Sequence, residues 1–218
     1  IDYGDTEVIV RINGLDTPHW QEDIRVCVAG GADGIRIAKC ESAEMVRTVD
    51  AAVTAAEKEF GVEEGRTLLM AALESPLGIM NAYEIVTASP RMFGCAISGG
   101  DFRKSMHVQI QRDGVEMMVA RGQMLLAARA AGVQCFDTMY PNIDDMEGFK
   151  AEVIQNHKMG FDGKSIVNPK QIAFVHETFA PTEKEIAYAE KLVRGCQAQA
   201  DAGIGVYTVD GKMVDIPF

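Results

Sequence analysis

Two acids stand where an apolar run gives way to a turn of small residues. Glu74 closes Leu68-Leu69-Met70-Ala71-Ala72-Leu73-Glu74 ahead of Ser75-Pro76-Leu77-Gly78, and Asp101 closes a run from Met92 through Ser98-Gly99-Gly100. Where strands alternate with helices, the carboxyl ends of the strands gather around one mouth. Two carboxylates there can hold a hard divalent cation through oxygen. Magnesium (Mg2+) suits them, because two carboxylates leave octahedral positions for waters and substrate oxygens. Zinc does not, since no His or Cys stands at ligand spacing. The competing reading is helix capping, in which each carboxylate accepts backbone N–H bonds at a helix start. Equivalent placement in successive units, beside residues that let a ligand approach closely, favours the metal.

Side chains alternate along a strand, so residues of like parity point the same way. Arg11 and Asn13 share a face with Ile9, Lys39 with Ile37 and Ile35, and Glu74 with Ala72 and Met70. The expected mouth therefore gathers Arg11, Asn13, Lys39, Glu74 and Asp101. The guanidinium of Arg11 is shaped to grip a carboxylate with two parallel bonds, although an ion pair at a strand end would explain it equally. Lys39 lacks the desolvated setting that a Schiff-base lysine needs. His19, His107, His157 and His176 fall in expected helices or loops and receive no catalytic role. The twelve methionines read as core filler.

The elements that must position these groups repeat. A strand over Glu7–Asn13 leads to a helix after Pro18 that runs to Gly30-Gly31, and a strand over Gly34–Lys39 leads to a helix begun by Ser42 and stopped by Gly61. The Leu68–Glu74 strand precedes a helix after Pro76. The Phe93–Ser98 strand precedes a polar loop and a helix from about Gly114 to Ala131. A strand over Val133–Tyr140 precedes a helix over Met146–Met159, and one over Gly163–Val167 precedes a short helix after Asn168-Pro169. Such repetition predicts a parallel sheet clothed in helices. The fold class is α/β, and no phosphate-loop or dinucleotide glycine pattern supports an open nucleotide-binding sheet. A TIM (β/α)8 barrel needs eight units, so two units before Ile1 are expected to lie outside this sequence. Residues 1–180 form the barrel region. Residues 181–218 form a C-terminal helix, opened by Thr182-Glu183-Lys184-Glu185, and a lid or oligomerisation segment with a Val206–Val209 strand and an Asp210-Gly211 turn.

Composition narrows the partners. The 218 residues are 47% hydrophobic and 24% charged, enough for a substantial core. A net charge of -11 argues against unaided binding to nucleic acid or an anionic membrane, which needs clustered Lys and Arg. No apolar run approaches the roughly 20 residues of a membrane span, and the sequence given opens on no signal-peptide pattern. Five cysteines without CxxC spacing read as reduced and cytoplasmic.

Six stretches also carry a resemblance: Arg11-Ile12-Asn13-Gly14-Leu15-Asp16, Glu74-Ser75-Pro76-Leu77-Gly78-Ile79, Phe136-Asp137-Thr138-Met139-Tyr140, Gly160 through Ile172, Ala180-Pro181-Thr182, and Asp210-Gly211-Lys212-Met213-Val214-Asp215. Together they resemble the citrate lyase beta subunit family and its malyl-CoA and citramalyl-CoA lyase relatives. The resemblance implies a TIM barrel, usually trimeric, that uses magnesium to cleave a citryl thioester into oxaloacetate and an acetyl thioester. The thioester would be carried by acyl carrier protein or by CoA, in a homotrimer or a complex with other lyase subunits. It places the metal acids on Glu74 and Asp101, the carboxylate-gripping arginine on Arg11, and a neighbouring subunit's lid aspartate on Asp215. Two departures stand out: Gly99-Gly100 where the family has Ala-Glu, and Ala38-Lys39 where it has Pro-Lys. Malyl or citramalyl thioester cleavage, a non-catalytic scaffold subunit and a pyruvate-type aldolase are the alternatives.

Overall fold

The computed structural model describes residues 3–201 and 206–215. The chain divides into two compact units, Ile1–Val175 and His176–Phe218.

The first unit alternates strand and helix as expected: β1 (Ile9–Arg11), α1 (Trp20–Ala29), β2 (Gly34–Ile37), α2 (Ala43–Phe60), β3 (Leu68–Leu73), then the short α3 (Pro76–Met80) and α4 (Ala82–Val86). There follow β4 (Met92–Ile97), α5 (Gly99–Met106), α6 (Met118–Ala131), β5 (Gln134–Asp137), α7 (Met146–Met159) and β6 (Gly163–Lys164), and then α8 (Ile172–Phe179), within which the first unit ends. All six strands are parallel and pair in sequential order from β1 to β6. A doubly wound sheet would reverse direction at a switch point. An unbroken sequential order is that of a barrel wall, so the sheet is a curled half-barrel.

Alternation sorts the strand residues into two sets. Ile35, Ile37, Leu69, Leu73, Cys95 and Ile97 are essentially inaccessible and face the helices. On the other face, Arg11, Arg36 and Met70 stand level on three neighbouring strands. Glycines there make room for large neighbours: a Cβ on Gly94 would meet the Phe136 ring at 3.3 Å.

The helix ends follow the sequence signals. Ser42 accepts from the Met45 N–H at 3.3 Å, and Gly61 ends α2 at φ +67°. Between them Val46, Val49, Val53 and Ala56 recur at helical spacing and are buried. Ser42→Ala is expected to cost about 1 kcal/mol, read as a lowered urea midpoint with an unchanged slope.

One expected loop is a helix. The stretch after Ser98 folds as α5 despite Gly99 and Gly100, because Phe102 is buried and Arg103 pairs with Glu116 at 2.6 Å. Asp101 therefore sits in the first turn of a helix, not at the end of a strand. Every strand of the first unit but β4 is also shorter than expected, β6 reaching only Lys164 against an expected end at Val167.

In the second unit α9 (Glu183–Asp201) opens with a reciprocal cap, in which Thr182 Oγ1 accepts from the Glu185 N–H and Glu185 Oε2 accepts from the Thr182 N–H. Then β7 (Val206–Val209) and β8 (Lys212–Asp215) form an antiparallel hairpin around Asp210-Gly211. Among the described residues no helix is long and apolar enough to cross a membrane.

Candidate active site

Glu74 follows β3 directly and is 5% exposed. It does not cap the next helix. Ser75 does, accepting from the Gly78 N–H at 3.2 Å while donating to Glu41. The Glu74 carboxyl is left to face Asp101, the Ser98 hydroxyl and the Lys39 backbone N–H. Its pKa is raised, first by burial and then by the Asp101 carboxyl, against the lowering effect of Ser98 and Lys39. Two acids in contact, one of them buried, form a like-charge pair that a cation would relieve.

These acids line a pocket of about 480 Å³ together with Lys39, Glu41, Ser75, Lys104, Ser105 and His107. Among the described residues no group of three or more metal-type side chains converges, so a cation here would rest on two carboxylates. Lys39 reaches the pocket through a left-handed backbone turn at φ +48° just past β2. Strand parity with Ile35 and Ile37 does not bring it there, since those residues face the helices. Arg11 ends β1 beside Arg36. Asn13 is turned to α1, where Asp23 Oδ2 accepts from both its backbone N–H and its side-chain amide. Asp215 closes β8, and its side chain lies outside the described residues.

Three groups near the acids were given no site role by the sequence, His107 among the histidines set aside. Arg36 donates to Ser98 Oγ at 3.1 Å, which links it to Glu74. His107 lines the pocket from the left-handed C-cap of α5. Thr138 accepts from the Gly99 N–H at 2.9 Å and so fixes the start of the helix that bears Asp101. A lone charge inside the apolar β2 run was the available signal for Arg36. His107 gave none, because its approach depends on a helix that the sequence does not announce.

Across residues 1–169 the chain matches the HpcH/HpaI aldolase/citrate lyase family. The chain belongs to that family. It is 47% identical over 217 residues to the citrate lyase subunit beta of Leuconostoc mesenteroides subsp. cremoris, covering all of this chain and 72% of that protein. It is 34% identical to a (3S)-malyl-CoA thioesterase of Cereibacter sphaeroides, over 98% of this chain and 71% of that one. The solved citrate lyase beta subunit of Mycobacterium tuberculosis, complexed with oxaloacetate and magnesium, superposes with a TM-score of 0.66 at 26% identity. That superposition covers 79% of this chain and 73% of the other. The enzyme class is lyase.

The departure at Gly99-Gly100 has a local cause. A Cβ on residue 99 would meet Arg103 Nη1 at 2.7 Å and Thr138 Oγ1 at 3.0 Å, whereas one on residue 100 would meet nothing within 4 Å. Gly99→Ala is therefore expected to displace the start of α5 and weaken magnesium binding about tenfold, while Gly100→Ala changes it less than about twofold, both by calorimetric titration.

Proposed function

We propose that the chain cleaves a citryl thioester to oxaloacetate and an acetyl thioester, with magnesium held by Glu74 and Asp101. The observation that carries this is a buried Glu74 carboxyl just past β3 facing the exposed Asp101 carboxyl of α5 in one pocket, in a chain so similar to citrate lyase beta subunits. The donor set fits: two carboxylates and a lined pocket leave positions for substrate oxygens and water. Bound there, magnesium would supply Lewis acidity toward the substrate's hydroxyl and carboxylate oxygens.

The chain's own groups do the rest. Arg11 grips a carboxylate of the oxaloacetate half. Lys39 offers its ammonium from the rim, whereas Asn13 is held toward α1 by Asp23 and takes no part. The bond between the hydroxyl-bearing carbon and the carbon alpha to the thioester breaks. The hydroxyl gives up its proton, its oxygen becomes the keto oxygen, and the electron pair passes to the acetyl carbon, which takes up a proton. Asp215 of a neighbouring subunit's lid is the acid assigned to that last transfer. The finer architecture is a closed (β/α)8 barrel, supported by the sequential strand order. Trimeric or multi-subunit assembly, cytoplasmic location and a thioester on acyl carrier protein or CoA belong to the same reading.

The test is turnover of citryl, malyl and citramalyl thioesters, each on CoA and on carrier protein, with and without magnesium. Magnesium-dependent release of oxaloacetate from the citryl thioester is expected. Cleavage confined to the malyl thioester would shift the substrate, and magnesium-independent cleavage would remove the metal from the proposal.

A further inference from the structure

Among the described residues the buried arginines are all neutralised. Arg91 pairs with Glu57 and Asp50, Arg103 with Glu116, and Arg121 with Asp137 and Glu152. Arg36, partly buried in β2, has no ion-pair partner within 4 Å among the described residues; it donates to the neutral Ser98 hydroxyl, and its Nε is buried without a partner. Burying a guanidinium this way costs free energy that an anion would recover.

Its surroundings narrow the choice of anion. Arg36 stands directly opposite Arg11 in the register of two adjacent parallel strands, which lie about 4.8 Å apart. The two cations share a face and repel, and Glu74 is the carboxylate whose field reaches Arg36. Sharing Glu74 with a divalent cation would weaken that compensation. Two guanidinium groups with no ion-pair partner among the described residues, near the proposed cation site, call for a ligand with two carboxylates.

The candidate substrates differ in just that respect. The half of a citryl thioester that becomes oxaloacetate carries one carboxylate on the hydroxyl-bearing carbon and a second on a methylene arm. The corresponding half of a malyl or citramalyl thioester carries one carboxylate only. We propose that Arg36 receives the methylene-borne carboxylate beside Arg11, and that this pair selects the citryl thioester over its malyl and citramalyl counterparts. The inference rests on the placement of substrate at Glu74 and Asp101 given above.

The experiment compares the full-length chain with Arg36→Met, which keeps length and loses charge, and with Arg36→Lys, which keeps charge and loses the planar fork. Oxaloacetate and glyoxylate serve as product probes by calorimetry in the presence of magnesium, and citryl-CoA and malyl-CoA as substrates. Arg36→Met is expected to weaken oxaloacetate binding about 30- to 100-fold and to lower the citryl-to-malyl ratio of kcat/KM by a similar factor, the range for losing a charge-assisted hydrogen-bonded contact. Arg36→Lys should recover part of both. Equal losses on the two probes, or none, would overturn the assignment. If Arg36→Met fails to fold by thermal melting, an unchanged citryl-to-malyl ratio in Arg36→Lys overturns it just as well. A parent protein that prefers malyl-CoA defeats the inference while leaving the lyase reading standing, whereas one that cleaves neither thioester defeats both.

Discussion

Glu74→Gln is expected to leave the chain folded and to lower turnover about 1000-fold or more, the scale of losing metal-based charge stabilisation worth several kcal/mol. The amide fills the same 5%-exposed site and can still accept from the Lys39 N–H and the Ser98 hydroxyl. What it removes is one of two negative charges in contact. Without magnesium the variant should melt no lower than the parent, because the buried member of a like-charge pair loses its charge. With magnesium the parent should gain thermal stability as a ligand that binds only the folded state requires, and the variant should gain none. Retained turnover, or an equal magnesium-induced rise in Tm, would remove Glu74 from the metal site. Asp101→Asn is the companion measurement, and its smaller burial predicts an equal loss of metal response with less effect on the melting of the metal-free chain.

Much of this architecture was legible because its signals are short-range. Ser42 with Gly61, Thr182 with Glu185, and the Asp210-Gly211 turn each act through bonds within a few residues, and each element begins or ends where those residues stand. The parallel order could be read from repetition alone. The site was harder. Helix propensity argues against Gly99-Gly100, yet tertiary contacts of Phe102 and Arg103 outweigh it, and Asp101 becomes a helical residue. Strand parity misassigned β2 because a sheet covered on both faces does not reveal which face is the mouth. Ile35 and Ile37 turn to the helices, which gives the mouth to Arg36, while Lys39 arrives through a positive φ that parity does not foresee. Asn13 has the expected parity but is drawn away by Asp23 in α1, a partner that strand alternation does not reveal.

The largest stability effect is expected at Asp137, the last residue of β5 and fully buried. Arg121 approaches it from α6 with two parallel bonds of 2.8 and 2.9 Å, Lys164 from β6 at 2.8 Å, and Asn156 donates from α7. Glu152 completes the set by accepting from Arg121 at 2.8 Å and from Lys164 at 2.6 Å, so two cations face two anions. Asp137→Ala would leave two buried cations with one anion and is expected to cost about 3–5 kcal/mol in chemical denaturation, the usual range for breaking a buried pair. A loss below about 1 kcal/mol would show that the network is not what holds β5 and β6 to the helices. Burial pushes the Asp137 carboxyl up, but Lys164 and Arg121 together outweigh it and hold it below its ordinary value of 3.8. A carboxylate depressed in the folded state contributes stability that is present above its unfolded pKa and is lost as pH falls through the folded one. The parent should therefore lose stability on acidification below pH 3.8, and Asp137→Asn should show a shallower slope there. The consequence reaches the active site through a short chain of bonds. Lys164 donates to the Thr138 carbonyl at 2.6 Å, and the Thr138 hydroxyl accepts from the Gly99 N–H at the start of the helix that carries Asp101. In conditions where Asp137→Asn remains folded, its magnesium affinity should therefore fall although no ligand has been changed. If affinity holds while stability drops, the network supports the fold alone and Thr138 positions α5 without it.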